Sequence, residues 1–354
     1  MTTAARALVA SEPGRVTLEE IVVADPGPGE VLIRVEATGV CHTDISWSTG
    51  NLYSQFPVTP GHETSGVVLA VGQGVTRVAE GDRVVVALTH HCGHCFYCES
   101  GHPMLCADRT KEHARLTWRD APLTQGFGVS GFSTHVLVGE SSVVVVPDEV
   151  PLEVAALVGC AIATGVGAVL NTAQVTPGSR VLVIGAGGIG LSVVMGAVLS
   201  GAEQVVVVEP SEARRTHAER LGATDTLAPG EDELAALAAD GFDFAFESAG
   251  LVSTMEESIR LTRRGGTITL LGAPPPDEEF RVPALDFVAS QKRLLGCITG
   301  DVSPVSDFDR YFRLYLRGRL PLGELVTSTA TLEEAAGLLV TGPPPEDIRV
   351  VVRP

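Results

Sequence analysis

The chain has 354 residues, enough for two domains with cores of their own; 45% apolar and 19% charged residues with positive mean hydropathy exclude a disordered or fibrous protein. Twenty-five basic against forty-three acidic residues give a net charge of −18, which repels nucleic acid and anionic lipid and argues against both as partners. The opening MTTAARALVASEPGRVTLEE has no basic segment followed by an apolar run, and no stretch reaches about eighteen uninterrupted apolar residues. Neither a secretory signal nor a membrane span is expected, and the chain is placed in the cytoplasm, where thiols stay reduced.

Residues 1 to about 155 read as short β-rich runs, RVTLEEIVV, EVLIRVEATGV, GVVLAVG, DRVVVAL and SSVVVVP, punctuated by PGPGE, TPGHE and AEGD. That is the pattern of an all-β or barrel-like unit. From PLEVAALVGCAIATG onward helical stretches alternate with fully apolar strands, RVLVIG, QVVVVE, FDFAFE and GGTITLLG. Such alternation predicts a parallel sheet covered on both faces, an α/β domain. Near residue 298 the alternation loosens, and periodicity does not decide whether the tail, ending in IRVVV, joins the second unit or returns to the first.

Four of the seven cysteines crowd into CGHCFYCESGHPMLC: Cys92, Cys95, Cys98 and Cys106. C-x-x-C turns present two thiolates to one tetrahedral ion, and four sulfurs close a zinc shell with no position for a substrate, so the cluster reads as structural. A disulfide knot is the competing reading, disfavoured by a reducing compartment. His91, His94 and His102 lie within or beside this loop, and four cysteines suffice without them. Of the rest, Cys41 sits in GVCHTD, His62 in PGHE, and Cys160 is read as opening the helix that leads into the second domain. Two thiolates and an imidazole make an open zinc site, but from spacing alone the trio is only suggestive, since lone buried Cys and His are more often core residues, the class in which Cys297 stays.

RVLVIGAGGIGLSVV carries Gly185, Gly187 and Gly190 in G-x-G-x-x-G spacing, with Gly188 and Ile189 inside the turn, after a predicted strand and opening a predicted helix. This arrangement allows a tight turn, a close approach of backbone to a pyrophosphate and close helix–strand packing, and the helix N-terminus supplies amides to the anion. QVVVVE ends in Glu209, nineteen residues after Gly190, where a carboxylate binds the adenosine ribose hydroxyls and repels a 2′-phosphate; NAD is therefore favoured over NADP. Arg214, five residues on, softens that preference because it too can meet a phosphate.

GVCHTD, GHE, the C-x-x-C-x-x-C-x7-C cluster, GCAIATG and VIGAGGIG, in this order, resemble the zinc-dependent alcohol dehydrogenases of the medium-chain dehydrogenase/reductase family over nearly the whole length. The resemblance implies a Rossmann doubly wound parallel sheet plus a GroES-like β-barrel catalytic domain: residues 1–161 catalytic with a structural-zinc lobe at about 90–110, 162–298 binding NAD, and 299–354 returning to the catalytic domain. It implies two zinc ions per chain. Cys41, His62 and Cys160 become ligands of the catalytic one; Asp44 orients the ligand histidine, and Glu63 lies behind the metal. His42 and Arg349 match basic positions near the pyrophosphate, and Thr164 and Ile189 match positions that hold the nicotinamide.

The implied chemistry is hydride transfer from an alcohol to NAD, with Thr43 accepting the departing proton and passing it to the cofactor ribose. Ser46 stands where many members have a histidine that carries the proton to solvent. By register Trp47, Leu88, Ala273 and Ile298 line the substrate channel, all apolar, which suits uncharged alcohols or aldehydes; Trp118, Phe127 and Phe132 read equally as aromatic walls or core. Absence of the relay histidine also resembles the formaldehyde dehydrogenases that act on S-hydroxymethyl thiol adducts, for which Arg109 and Arg115 are candidate basic residues. A dedicated biosynthetic dehydrogenase with tightly held NAD and a catalytically silent structural relative complete the alternatives. A homodimer formed by pairing cofactor-domain edge strands is expected, with a tetramer as the other possibility.

Overall fold

The computed structural model describes residues 2–52, 55–88, 90–108, 115–230 and 232–354. Two compact units emerge: Met1–Cys160 with Ser303–Arg317 and Leu322–Pro354, and Ala161–Val302 with Gly318–Pro321.

In chain order the first unit begins with β1 (Thr2–Glu12), β2 (Arg15–Ala24), β3 (Glu30–Gly39), β4 (Val58–Thr59), β5 (Glu63–Val71) and β6 (Arg83–Val86). It continues with β7 (Leu116–Trp118), β8 (Ala121–Gln125), β9 (His135–Gly139) and β10 (Val143–Val145). β1, β2, β7, β8 and β4 close a barrel, and a seven-stranded sheet runs β10-β6-β5-β3, with β9 also on β3. β3 shows why its run is almost continuously apolar. Val31, Ile33 and Val35 face one core with Val68, Val84, Val86 and Val136, while Leu32 faces another with Ala7, Val9, Ile21, Leu116 and Leu123. Side chains alternate across a strand, so a strand covered on both faces needs apolar residues at every position.

The second unit holds β11 (Arg180–Ile184), β12 (Gln204–Val208), β13 (Asp225–Leu227), β14 (Phe242–Glu247), β15 (Thr262–Leu270) and β16 (Arg293–Gly296). All pair in parallel in the order β13-β12-β11-β14-β15-β16, the doubly wound dinucleotide-binding order with its reversal between β11 and β14.

The remaining strands are β17 (Val326–Thr331) and β18 (Arg349–Arg353), and β18 pairs antiparallel with β3, Val351 opposite Gly39 and Val352 opposite Thr38. The tail thus ends inside the first unit's sheet. Where the sequence seemed to loosen there is a helix, Pro304–Leu316, that buries Phe308, Tyr311 and Phe312. The i, i+3, i+4 spacing of those three is the signal that its Asp- and Arg-rich polar face obscured.

One further reading is corrected. Cys160 does not open a helix: the helical run starts at Leu152 after Pro151 and passes through a π-helical segment, Val158–Ile162, with Cys160 in its middle. A β-carbon on Gly159 would come within 2.5 Å of the Val86 carbonyl oxygen, so glycine lets the run lie this close to β6. The whole run, Leu152–Thr172, is long and apolar enough to cross a membrane by length and composition, but its most apolar window is 89% buried within the fold, as a core helix is.

Candidate active site

Cys41 precedes the helix His42–Thr49 as its N-cap, at the end of the β3 crossing, and His62 immediately precedes β5. Gly61 makes the approach possible. Its φ is +107°, and a β-carbon there would collide with the backbone at Gly131 and Phe132. With Cys160 from the helical run, the donor atoms of Cys41, His62, Glu63 and Cys160 lie within 4.8 Å of one another, and all four residues are buried.

Asp44 organises this group. Its Oδ1 is 2.9 Å from His62 Nδ1 and accepts from the Gly61 amide at 2.9 Å, while Oδ2 accepts from the Cys41 amide at 3.3 Å. A wholly buried carboxylate therefore fixes the imidazole through Nδ1 and leaves Nε2 to face the sulfurs, the usual outer partner of a metal-bound histidine. Removing it with Asp44→Ala lowers turnover about 10- to 100-fold and weakens retention of one metal ion, measured by initial rates and by metal content after dialysis.

The electrostatics fit a cation. Hydrogen bonding with Cys160 holds the Cys41 thiol well below its ordinary pKa, against the effect of burial and with help from Arg349. The same contact, with burial, pushes Cys160 well above it. Burial opposes charging His62, but Asp44 outweighs it and raises the imidazole. Burial also pushes the Glu63 carboxyl up to about 7 against the pull of Arg349, and neither Glu63 oxygen has a hydrogen-bond partner. Two soft sulfurs and one oriented imidazole, with the buried Glu63 carboxylate within the same ion's reach, are a donor set suited to zinc.

Arg349 is 8% exposed, with Nε 3.2 Å from Glu63 Oε2 and Nη2 3.7 Å from Cys41 Sγ. The pairing of β18 with β3 carries it there. Thr43 Oγ1 lies 3.7 Å from Cys41 Sγ, Ser46 is half-buried with its carbonyl accepting from Asn51, and His42 is exposed.

In the cysteine lobe the four sulfurs also lie within 4.8 Å of one another, Cys95 Sγ 3.5 Å from Cys98 Sγ and 4.0 Å from Cys106 Sγ. A disulfide would bring sulfurs to about 2.05 Å. A tetrahedron of Zn–S bonds of about 2.3 Å places them about 3.8 Å apart. Amides of Cys92 and Asp108 donate to Cys106 Sγ, and those of Ala107 and Cys98 draw the Cys95 thiol down to about 6, while burial pushes its neighbour Cys98 up to about 12. His94 and His102 are exposed.

The glycine turn lies in the second unit, between β11 and the helix Gly188–Leu199, whose N-cap Gly187 has no side-chain cap. Gly187 has an ordinary φ of −75°, and nothing lies within 4 Å of the place a β-carbon would take. Nothing in the chain therefore requires glycine there; the space left over uncapped amides suits a pyrophosphate. At Gly190, by contrast, a β-carbon would collide with the Gly185 carbonyl. Glu209, just past β12, accepts from the Ala186 amide at 2.8 Å and the Ser211 amide at 3.0 Å, so its carboxylate is drawn into the turn. Arg215 donates to the Glu209 carbonyl at 2.7 Å, and Thr164 is buried in the helix Ala163–Gly167.

Sequence reasoning missed Glu247, the counterpart of Glu209 on the other side of β11. Wholly buried, its Oε1 accepts from the amides of Ala249 and Gly250 and from Thr254 Oγ1, shaping the loop whose Ser248 Oγ donates to the carbonyls of Ile184 and Gly185. An acidic residue ending a strand of otherwise apolar or aromatic character, FDFAFE, was the available signal.

Of the channel residues, Trp47 stacks on Phe127, with ring centroids 4.3 Å apart and planes at 21°, and Leu88 is half-buried in the first unit. Ala273, next to Gly250, and Ile298, 43% exposed, belong to the second. Phe132 is wholly buried core, and Trp118 donates to Glu19. Arg115 is buried and bonded to Glu30 at 2.7 Å, which removes it as a surface cation; Arg109 lies outside the described residues.

A parallel dinucleotide-binding sheet together with a buried Cys2His donor set and a four-cysteine lobe defines a metal-dependent dehydrogenase. Residues 27–148 match the family model for the alcohol dehydrogenase GroES-like domain, and 188–317 that for zinc-binding dehydrogenases. The chain is 36% identical to geraniol dehydrogenase of Castellaniella defragrans over 330 residues, covering 89% of this chain and 88% of that protein. It is 35% identical to S-(hydroxymethyl)glutathione dehydrogenase of Synechocystis sp., with 93% and 94% covered. The structure of benzyl alcohol dehydrogenase from Acinetobacter calcoaceticus superposes with a TM-score of 0.93 at 30% identity over 99% of each chain. The chain belongs to the zinc-binding alcohol dehydrogenase family, and it is an oxidoreductase.

Proposed function

We propose that the chain oxidises an uncharged alcohol with NAD, reversibly: RCH2OH + NAD+ gives RCHO + NADH + H+. The convergence of Cys41, His62 and Cys160 around one buried point, with Asp44 fixing the imidazole, carries the reading. Cys41, His62 and Cys160 would hold a zinc ion that supplies Lewis acidity, and the glycine turn would hold NAD as the hydride acceptor. Asp44 keeps His62 oriented, and the Arg349 guanidinium offsets the charge of Glu63 and Cys41. Thr43 Oγ1, close to Cys41 Sγ, would accept the alcohol's hydroxyl proton while passing its own hydrogen onward, so that it stays neutral. Ser46, in place of a relay histidine, is the candidate next group on the proton's way out.

The second zinc belongs to Cys92, Cys95, Cys98 and Cys106 and orders the lobe. Glu209 gives NAD its preference: Glu209→Ala should weaken NAD more than NADP in equilibrium titrations, and equal loss would count against that role. The free thiols fit a reducing compartment, and the reading places the enzyme in the cytoplasm. It acts as a homodimer through β16, the sheet's edge, beside which Leu285 and Val288 of the helix Ala284–Ser290 are 80% and 73% exposed. A tetramer would show in the solution mass.

The likeness to S-(hydroxymethyl)glutathione dehydrogenase supports a second reading, oxidation of a hydroxymethyl thiol adduct. Reduced nicotinamide is followed spectroscopically with aliphatic, allylic and aromatic alcohols, and with formaldehyde plus glutathione. Turnover of free alcohols supports the first reading; turnover only of the adduct replaces it with the second.

A further inference from the structure

Phe127 occupies a position that ordinary packing does not explain. Its φ of +52° and ψ of 21° put a bulky aromatic residue in the left-handed region, between Gly126 and Gly128. Residues held there persist only where their surroundings over-determine them, and such positions gather at functional sites. The surroundings here are specific. Ser130 Oγ donates to the Thr59 carbonyl at 2.9 Å, the Gly131 amide to the Gly61 carbonyl at 2.7 Å, and the Phe132 amide to the Pro60 carbonyl at 3.2 Å. Gln125 Nε2 bonds the carbonyls of Val129 and Leu137. The loop bearing Phe127 is thus stitched to residues 59–61, the segment that delivers His62.

Trp47 arrives by a separate route, on the helix that Cys41 caps. Two elements carrying metal donors therefore each contribute one aromatic ring, and the rings stack. The Phe127 ring is also 5.0 Å from the His62 ring, tilted at 59°. Both Trp47 and Phe127 are partly buried, so each ring keeps some accessible surface. The pair is a rigid, uncharged π surface one ring's width from a metal-ligating imidazole.

We propose that the Trp47–Phe127 stack is the wall on which the substrate's carbon skeleton lies, and that it selects a planar, π-bearing alcohol or aldehyde, aryl or allylic, over a saturated one of the same size. An aromatic face favours offset stacking or edge contact with another π system beyond simple area burial. Oxidation extends conjugation into the carbonyl, so the aldehyde and the transition state leading to it are flatter than the alcohol and fit the wall better. The proposal rests on the Cys41, His62 and Cys160 reading.

Benzyl alcohol and cyclohexylmethanol share one skeleton and differ in the π system. Wild type should favour benzyl alcohol in kcat/KM, and Phe127→Leu, which keeps an apolar side chain without the ring, should cut that ratio about 5-fold, within what an aromatic pair contributes. Phe127→Tyr should restore it. Only two tryptophans are present. In a Trp118→Phe background emission therefore reports Trp47, and benzaldehyde should quench it at lower concentration than cyclohexanecarbaldehyde without any turnover. Folding and metal content of each variant are checked by thermal melting and by zinc analysis. A ratio unchanged by Phe127→Leu with both zinc ions retained, or equal quenching by the two aldehydes, overturns the proposal. Absence of turnover by wild type on every alcohol would instead overturn the catalytic reading beneath it.

Discussion

Cys41→Ser abolishes alcohol-dependent NAD reduction and leaves one zinc per chain instead of two. The residue is 4% exposed, and its sulfur shares one ion's reach with His62, Glu63 and Cys160. A serine hydroxyl is shorter, harder and not ionised near neutral pH, so it replaces neither the bond nor the charge that a soft divalent ion requires. The Arg349 Nη2 contact to Cys41 Sγ is weakened at the same time, leaving the guanidinium with Glu63 and the Ile348 carbonyl. The fold should survive, because Cys41 caps a helix whose packing is made by other residues and the lobe cysteines are untouched. The checks are zinc analysis, thermal melting and initial rates on one preparation; undiminished turnover would sink the site assignment.

Cys106→Ser has the opposite signature. Cys106 is the most buried of the lobe sulfurs, and two amides, those of Cys92 and Asp108, donate to it. Its loss opens the sulfur shell and turns both amides onto a weaker acceptor. Around residues 92–108 there is only a four-residue helix, Phe96–Glu99, and a 3-10 turn, Pro103–Leu105, too little regular structure to hold the segment without the ion. One zinc is lost, the lobe becomes the first site of proteolysis, and Tm falls by about 5 °C or more. The catalytic zinc stays. Retention of both ions, or a lobe as protease-resistant as in wild type, would contradict a metal role for the cluster.

Much of this was legible in the sequence because the chemistry is local. The four lobe cysteines fall within fifteen residues, and a glycine turn between an apolar strand and a helix needs no distant partner to be recognised. The catalytic set was harder: Cys41, His62 and Cys160 are brought together by three separate elements, and only their resemblance to a family singled them out. Arg349 shows where the limit lies. Nothing near it in sequence says that β18 will pair with β3, so its approach to Glu63 and Cys41 is a product of register. Phe127 shows the same limit in another form, since its φ and its distance to His62 depend on hydrogen bonds between segments some seventy residues apart. The π-helical segment around Cys160 left no mark in composition, because VGCAI reads as any small apolar helix.

The account's central claim is hydride transfer from an alcohol carbon to the nicotinamide at this site. The direct measurement is mass spectrometry of the cofactor after wild-type protein meets NAD and 1,1-dideuterated benzyl alcohol. The account predicts reduced cofactor carrying one deuterium, formed in step with deuterated benzaldehyde and absent with Cys41→Ser. Reduced cofactor without deuterium, or aldehyde formed with NAD left unreduced, would contradict it.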